Sequence, residues 1–165
     1  MSNNEILVIT HWDEKSDISS FQVSLNNVIE KRYQSIQLRL EGITKERYAE
    51  IAFLTSKAIS GKNISLFLNC NIDEIPNVHA TGIHLKSRYA ARLKKIPDDL
   101  KSKYLFSTPC HNLEEINHAN ALGFDFGIIT PIKQSISSSD KEPIGWSRLV
   151  RCLNSHRFQC MPQED

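Results

Sequence analysis

Four serines, Ser135, Ser137, Ser138 and Ser139, stand in the segment DFGIITPIKQSISSSDKEPIGW (125–146), just after an apolar run that stops at Pro131. Hydroxyls flanked by Lys133 and Lys141 could hold an anion, because loops at the carboxyl ends of parallel strands are where α/β proteins bind phosphate. The same residue types are ordinary turn formers, so a plain solvated loop is the equal alternative on composition alone.

Other chemistry-bearing residues sit on or next to apolar runs. Gln37 and Arg39 are two apart in IQLRL (36–40), which places them on one face of an extended strand. An arginine there is either the planar fork that grips a phosphate or the partner of a nearby acid such as Glu41. Asn69 closes the run ISLFLN (64–69). His84 lies inside TGIHL (81–85), where an interior hydrogen-bonded histidine is expected before a catalyst. Cys110 and His111 form a Cys-His neighbour pair, but adjacent residues on extended chain point to opposite faces, so His111 is expected to shape the start of the next helix. Cys152, His156 and Cys160 are spaced by four and would share a face if one helix carried them. Zinc sites usually want a fourth ligand and a tighter cysteine pair, so no metal site is assigned there.

The elements that must position these residues alternate. Apolar or β-branched runs at 6–10 (ILVIT), 36–40, 64–69, 81–85, 104–108 (YLFST) and 125–130 (DFGIIT) read as six strands. Helical stripes fall between them: Phe21, Leu25, Val28 and Ile29; Tyr48, Ile51, Thr55, Ala58 and Ile59; Leu113, Ile116, Ala119 and Asn120. Asn112 is placed to cap the last of these helices, with Glu115 reaching back to close a capping box and Gly123 ending it. Trp146 after Gly145 reads as an apolar anchor for a further helix. Six βα units with near-continuous apolar strands imply a parallel sheet covered by helices. Polar residues distributed over several strand ends favour the mouth of a TIM-type (β/α) barrel over a single crevice.

At 165 residues and formal net charge +1, residues 1–165 are expected to form a single domain with a small-molecule partner and no nucleic-acid partner. No apolar run reaches the roughly 20 residues of a membrane span, and MSNNEILVIT does not have the form of a signal peptide, so a cytoplasmic location is expected. Four cysteines without regular spacing fit reduced thiols.

In their order and spacing, QLR (37–39), LFLN (66–69), GIHL (82–85), CHNLEEINHANALGFDFGIITPI (110–132) and IGW (144–146) resemble the thiamine-phosphate synthase family, which includes the TenI-type thiazole tautomerases. The pattern is most similar to a related domain found fused behind Nudix hydrolases. The resemblance implies a (β/α)₈ barrel in thiamine biosynthesis that joins an aminopyrimidine pyrophosphate to a thiazole phosphate, using magnesium and basic side chains. It gives Gln37, Arg39 and Asn69 the role of substrate-binding residues, and Ser135, Ser137 and Ser138 that of a phosphate loop. His84, His111 and Lys133 are accessory candidates.

Against that pattern the chain departs at several points. Glu41 stands where a basic residue is implied, Cys70 and Tyr89 where metal-binding aspartates are implied, Pro109 where a serine is, and Ser138 where the loop lysine is. The position implied for the tautomerase histidine is Pro131. Magnesium prefers hard oxygen ligands, so no metal site is expected from these residues. Six strands are fewer than the eight of a closed barrel, so an incomplete barrel is expected, with open edges at ILVIT and DFGIIT. Those edges are managed by the tail RFQCM (157–161) forming a strand beside the sixth run, by two chains joining as a homodimer, or by water; the tail is preferred. Three functions remain: a family member with a degenerate catalytic site, a companion module that binds a phosphorylated pyrimidine or thiazole for a Nudix-type hydrolase, and an active synthase. The chain itself carries no Nudix signature.

Overall fold

A computed structural model describes residues 6–10, 12, 17–130 and 145, and the backbone of 159–162. The chain divides into two compact units, Met1–Ile83 and His84–Asp165.

In the first unit, β1 (Leu7–Ile9), β2 (Ser35–Leu38) and β3 (Ser65–Leu68) alternate with helices α1 (Ile18–Glu30) and α2 (Lys45–Ile59). A 3-10 turn, Ile72–Glu74, leads on to β4 (Gly82–His84). All neighbouring pairs are parallel, with Ile9 opposite Gln37, Gln37 opposite Phe67 and Phe67 opposite Gly82. Residues in register share a face, so Ile9, Gln37 and Phe67 lie on one side of the sheet and Val8, Ile36 and Leu66 on the other. The helices cover the second side: Phe21, Leu25 and Val28 of α1 line a cavity of about 420 Å³ with Val8 and Ile36. β2 alternates polar and apolar residues, yet Ser35 and Gln37 are as buried as Ile36 and Leu38, as in a parallel sheet covered on both faces.

Local chemistry starts each helix. Asp17 accepts from the Ser20 N–H at 2.7 Å, and the Ser20 hydroxyl accepts from the Asp17 N–H at 3.2 Å, a reciprocal capping box for α1. Thr44 caps α2 by accepting from the Arg47 N–H at 3.2 Å. In α2 Tyr48, Ile51, Thr55 and Ile59 of the expected stripe are buried, Ala58 is half-buried, and Ala52 joins the buried face. The Thr55 hydroxyl donates to the Ile51 carbonyl at 2.8 Å, which satisfies its hydrogen bond inside the helix.

In the second unit, two short helices, α3 (Ser87–Ala90) and α4 (Asp98–Lys101), precede β5 (Leu105–Cys110), α5 (Leu113–Leu122), β6 (Phe126–Ile129) and β7 (Gln159–Pro162). β5, β6 and β7 are parallel, with Ser107 opposite Phe126 and Phe126 opposite Gln159. The tail therefore does pair with the sixth strand, in register from Gln159 to Pro162, and this side of β6 is not open to a second chain. Cys160 lies within β7, so Cys152, His156 and Cys160 do not share one helix, and the single-face spacing argument fails. A terminal Pro162 suits a strand that needs no further donor on that side.

α5 begins and ends as its sequence predicts, with two corrections. Asn112 accepts from the Glu115 N–H at 2.9 Å, but Glu115 reaches past the cap to accept from the His111 N–H at 2.9 Å and from the Asn112 side-chain amide at 3.2 Å. Leu113, expected in the buried stripe, is 54% exposed, because the inward side of this first turn belongs to Glu115 and Ile116. Gly123 ends the helix at φ 72°, and Lys101 donates to the preceding Leu122 carbonyl at 2.7 Å, placing a cation at the negative end of the helix dipole.

Candidate functional site

Gln37, Arg39 and Asn69 come together at the carboxyl ends of β2 and β3. The register Leu38 to Leu68, continued one residue, sets Arg39 beside Asn69, and the Asn69 N–H donates to the Leu38 carbonyl at 3.1 Å. Gln37 lies one step below on the same face. Its depth differs from the expected open rim: Gln37 is 2% exposed, whereas the Arg39 side chain is 50% exposed. The Gln37 side-chain oxygen, Oε1, is buried with no hydrogen-bond partner among the described residues. An acceptor left in that state costs about 1–3 kcal/mol, so its presence needs a reason, and a ligand donor is one.

Arg39 is held from two directions. Thr10 accepts from the Arg39 N–H at 2.9 Å and donates to the Arg39 carbonyl at 3.1 Å, fixing the strand end against β1. The guanidinium donates through Nε and Nη2 to one oxygen of Glu41, at 2.9 and 2.6 Å. Glu41, the acid considered as its partner, is therefore in contact with it. Thr10 escaped the sequence reading because nothing in ILVIT marks its hydroxyl as a clamp.

Cys70 is 3% exposed and follows Asn69 on the opposite face, beside α2. There Tyr48 donates its hydroxyl to the Leu38 carbonyl at 3.0 Å. Burial first, and the neighbouring Cys70 second, push the Tyr48 hydroxyl pKa far above its ordinary value. The magnesium that the resemblance implies does not fit these residues: Cys70 offers a buried soft sulfur and Tyr89 of α3 a phenol. Glu74, an acid shortly downstream, already accepts from Asn71 at 2.9 Å and pairs with Lys45 at 3.2 Å. No three His, Cys, Asp or Glu side chains gather as a metal would require among the described residues.

In the second unit, His84 is 4% exposed and its Nδ1 lies 2.9 Å from the hydroxyl of Ser107, itself fully buried. This is the interior hydrogen-bonded histidine that the apolar run predicts, with the partner supplied by the next strand. His111 Nδ1 donates to the Thr130 carbonyl at 2.6 Å, tying the start of α5 to the end of β6. Cys110, fully buried, lies in β5 just before it. A cavity of about 270 Å³ opens on the helix side between Ser87, Pro109, Asn112 and His118. Neither cavity is lined by Gln37, Arg39 or Asn69. Ser135, Ser137, Ser138 and Lys133, together with Pro131 and Trp146, lie outside the described residues.

Parallel βα units with polar residues at strand carboxyl ends define a TIM-type (β/α) barrel protein, here incomplete, with seven strands among the described residues. The model of the thiamine monophosphate synthase family matches residues 6–162, and the chain belongs to that family. A relative from Aquifex aeolicus (strain VF5), provisionally named thiamine-phosphate synthase 2, is 23% identical over 137 residues, covering 83% of this chain and 73% of that protein. The thiamine phosphate pyrophosphorylase structure from Pyrococcus furiosus superposes with a TM-score of 0.72 at 18% identity, over 96% of this chain and 73% of the other. A structure provisionally assigned as a deoxyribose-phosphate aldolase, from Coccidioides immitis, superposes at TM-score 0.51 and 8% identity, over 94% of this chain and 80% of the other. At these identities the superpositions speak for the fold alone. No helix among the described residues is long and apolar enough to cross a membrane.

Proposed function

We propose that this protein is a thiamine-phosphate-synthase-like binding protein with a degenerate catalytic site, one that holds a pyrimidine-class ligand at Gln37, Arg39 and Asn69 without coupling it to a thiazole phosphate. The observation that carries the reading is Cys70. Where the family pattern implies a metal-binding carboxylate, this chain has a thiol, 3% exposed and set against the α2 tyrosine. A buried thiol is a poor ligand for a hard divalent cation, and without such a cation the charge developing on a pyrophosphate leaving group lacks its main stabiliser. The binding half of the reading is supported by the unpartnered Gln37 oxygen, with Asn69 at the adjoining strand end.

The test has two arms. Purified protein incubated with an aminopyrimidine pyrophosphate, a thiazole phosphate and magnesium is expected to release no pyrophosphate above background; turnover on the order of 1 per second would overturn the degenerate assignment. A thermal-shift series against an aminopyrimidine alcohol, its monophosphate, its pyrophosphate and a thiazole phosphate is expected to raise the melting temperature with at least one of them through mass action on the folded state, and Arg39→Ala is expected to weaken the response to phosphorylated ligands. Unchanged melting with every compound would overturn the binding assignment.

A further inference from the structure

Resting on the reading that this rim holds a pyrimidine-class ligand, we propose that Glu41 sets the charge of the ligand: the site takes an uncharged or singly phosphorylated aminopyrimidine and disfavours its pyrophosphate. Both Arg39 donors that face Glu41 converge on one carboxylate oxygen, at 2.9 and 2.6 Å. That edge of the guanidinium is one of the two that can take a phosphate in bidentate fashion, and its Nη2 is shared with the other. The carboxylate therefore competes for the fork, and together the two side chains present no net charge. Arg39 and Glu41 flank the buried Leu40, two residues apart. Lys45, the next cation along the chain, is already paired with Glu74 at 3.2 Å.

Deeper on the same face, the unpartnered Gln37 oxygen accepts and cannot donate, so the group it suits is an N–H such as a ring amino group. An acceptor inside and a charge-balanced Arg39–Glu41 pair at the strand end describe a ligand that brings hydrogen-bond donors and little negative charge. The exposed Arg39–Glu41 pair is weak in itself, with side chains 50% and 68% exposed. Selection arises instead from repulsion between the carboxylate and each further phosphate charge, an effect that salt screens.

The experiment titrates one aminopyrimidine alcohol, its monophosphate and its pyrophosphate into the wild type, Glu41→Gln and Glu41→Lys by calorimetry, at low and at high salt. In the wild type the alcohol and the monophosphate are expected to bind more tightly than the pyrophosphate. Glu41→Gln should tighten the pyrophosphate about tenfold while leaving the alcohol unchanged, Glu41→Lys should tighten it further, and both gains should shrink with salt. A wild type that binds the pyrophosphate most tightly, or a pyrophosphate affinity indifferent to both substitutions, would overturn charge selection while leaving ligand binding intact. If none of the three compounds binds the wild type or either variant, the binding reading fails and charge selection falls with it.

Discussion

Replacing Gln37 with methionine should make the unliganded protein more stable and its ligand response weaker. Gln37 is 2% exposed and its carbonyl oxygen has no partner among the described residues, so the folded state carries a desolvated acceptor that the unfolded chain would expose to water. Methionine has nearly the same length and volume, fits between Ile9 and Phe67 in the register of β1, β2 and β3, and brings no polar oxygen. Removing an unsatisfied acceptor recovers about 1–3 kcal/mol, and a lost contact at the other amide atom would reduce this, so a gain of about 1–2 kcal/mol is expected. With a urea slope of about 2 kcal/mol per molar, the midpoint should rise by about 0.5–1 M, and the melting temperature by about 2–4 °C per kcal/mol. The assay is urea unfolding followed by far-ultraviolet circular dichroism, run with and without an aminopyrimidine. A methionine variant less stable than the wild type would mean that the oxygen is satisfied, and the argument for a ligand donor at this position would collapse. A variant that is more stable yet keeps the full ligand response would place the ligand elsewhere. The expected combination, greater stability with lost response, is the trade-off of a binding site that holds a strained polar group for its ligand.

Two further outcomes follow from the helix starts. Asn112→Ala removes the cap of α5 and one of the donors to Glu115, and should cost about 1 kcal/mol, within a range of about 0.5–2; an unchanged urea midpoint would show that the cap does not hold α5. Asp17 is held below its ordinary pKa of 3.8 by hydrogen bonds from Ser20, the backbone N–H foremost. A depressed folded value means that the cap's contribution is present above the ordinary value and is lost as pH falls through the folded one. Stability measured between pH 5 and about 2 should therefore fall more steeply in the wild type than in Asp17→Asn, and parallel curves would refute the assignment.

The sequence determined whatever is local. Strand runs set by β-branched and apolar residues fall within two residues of β1 to β6, Tyr48, Ile51, Thr55 and Ile59 of the α2 stripe are buried as their spacing predicts, and Asn112 and Gly123 bound α5. Periodicity and capping depend on residues three or four apart, which the chain displays directly. The departures from the family pattern at Glu41, Cys70 and Tyr89 were equally legible, since they are matters of residue type. Only the tertiary structure decided which partner each polar group meets. Arg39 takes Glu41, His84 takes the Ser107 hydroxyl 23 residues away, and His111 takes the Thr130 carbonyl 19 residues away. Gln37 is buried without a partner for its oxygen among the described residues, and Leu113 is left exposed, although the spacing of each residue matches that of its neighbours. Burial and pairing depend on what another strand or helix brings alongside, and a linear pattern specifies the face a side chain is on without specifying what arrives to meet it.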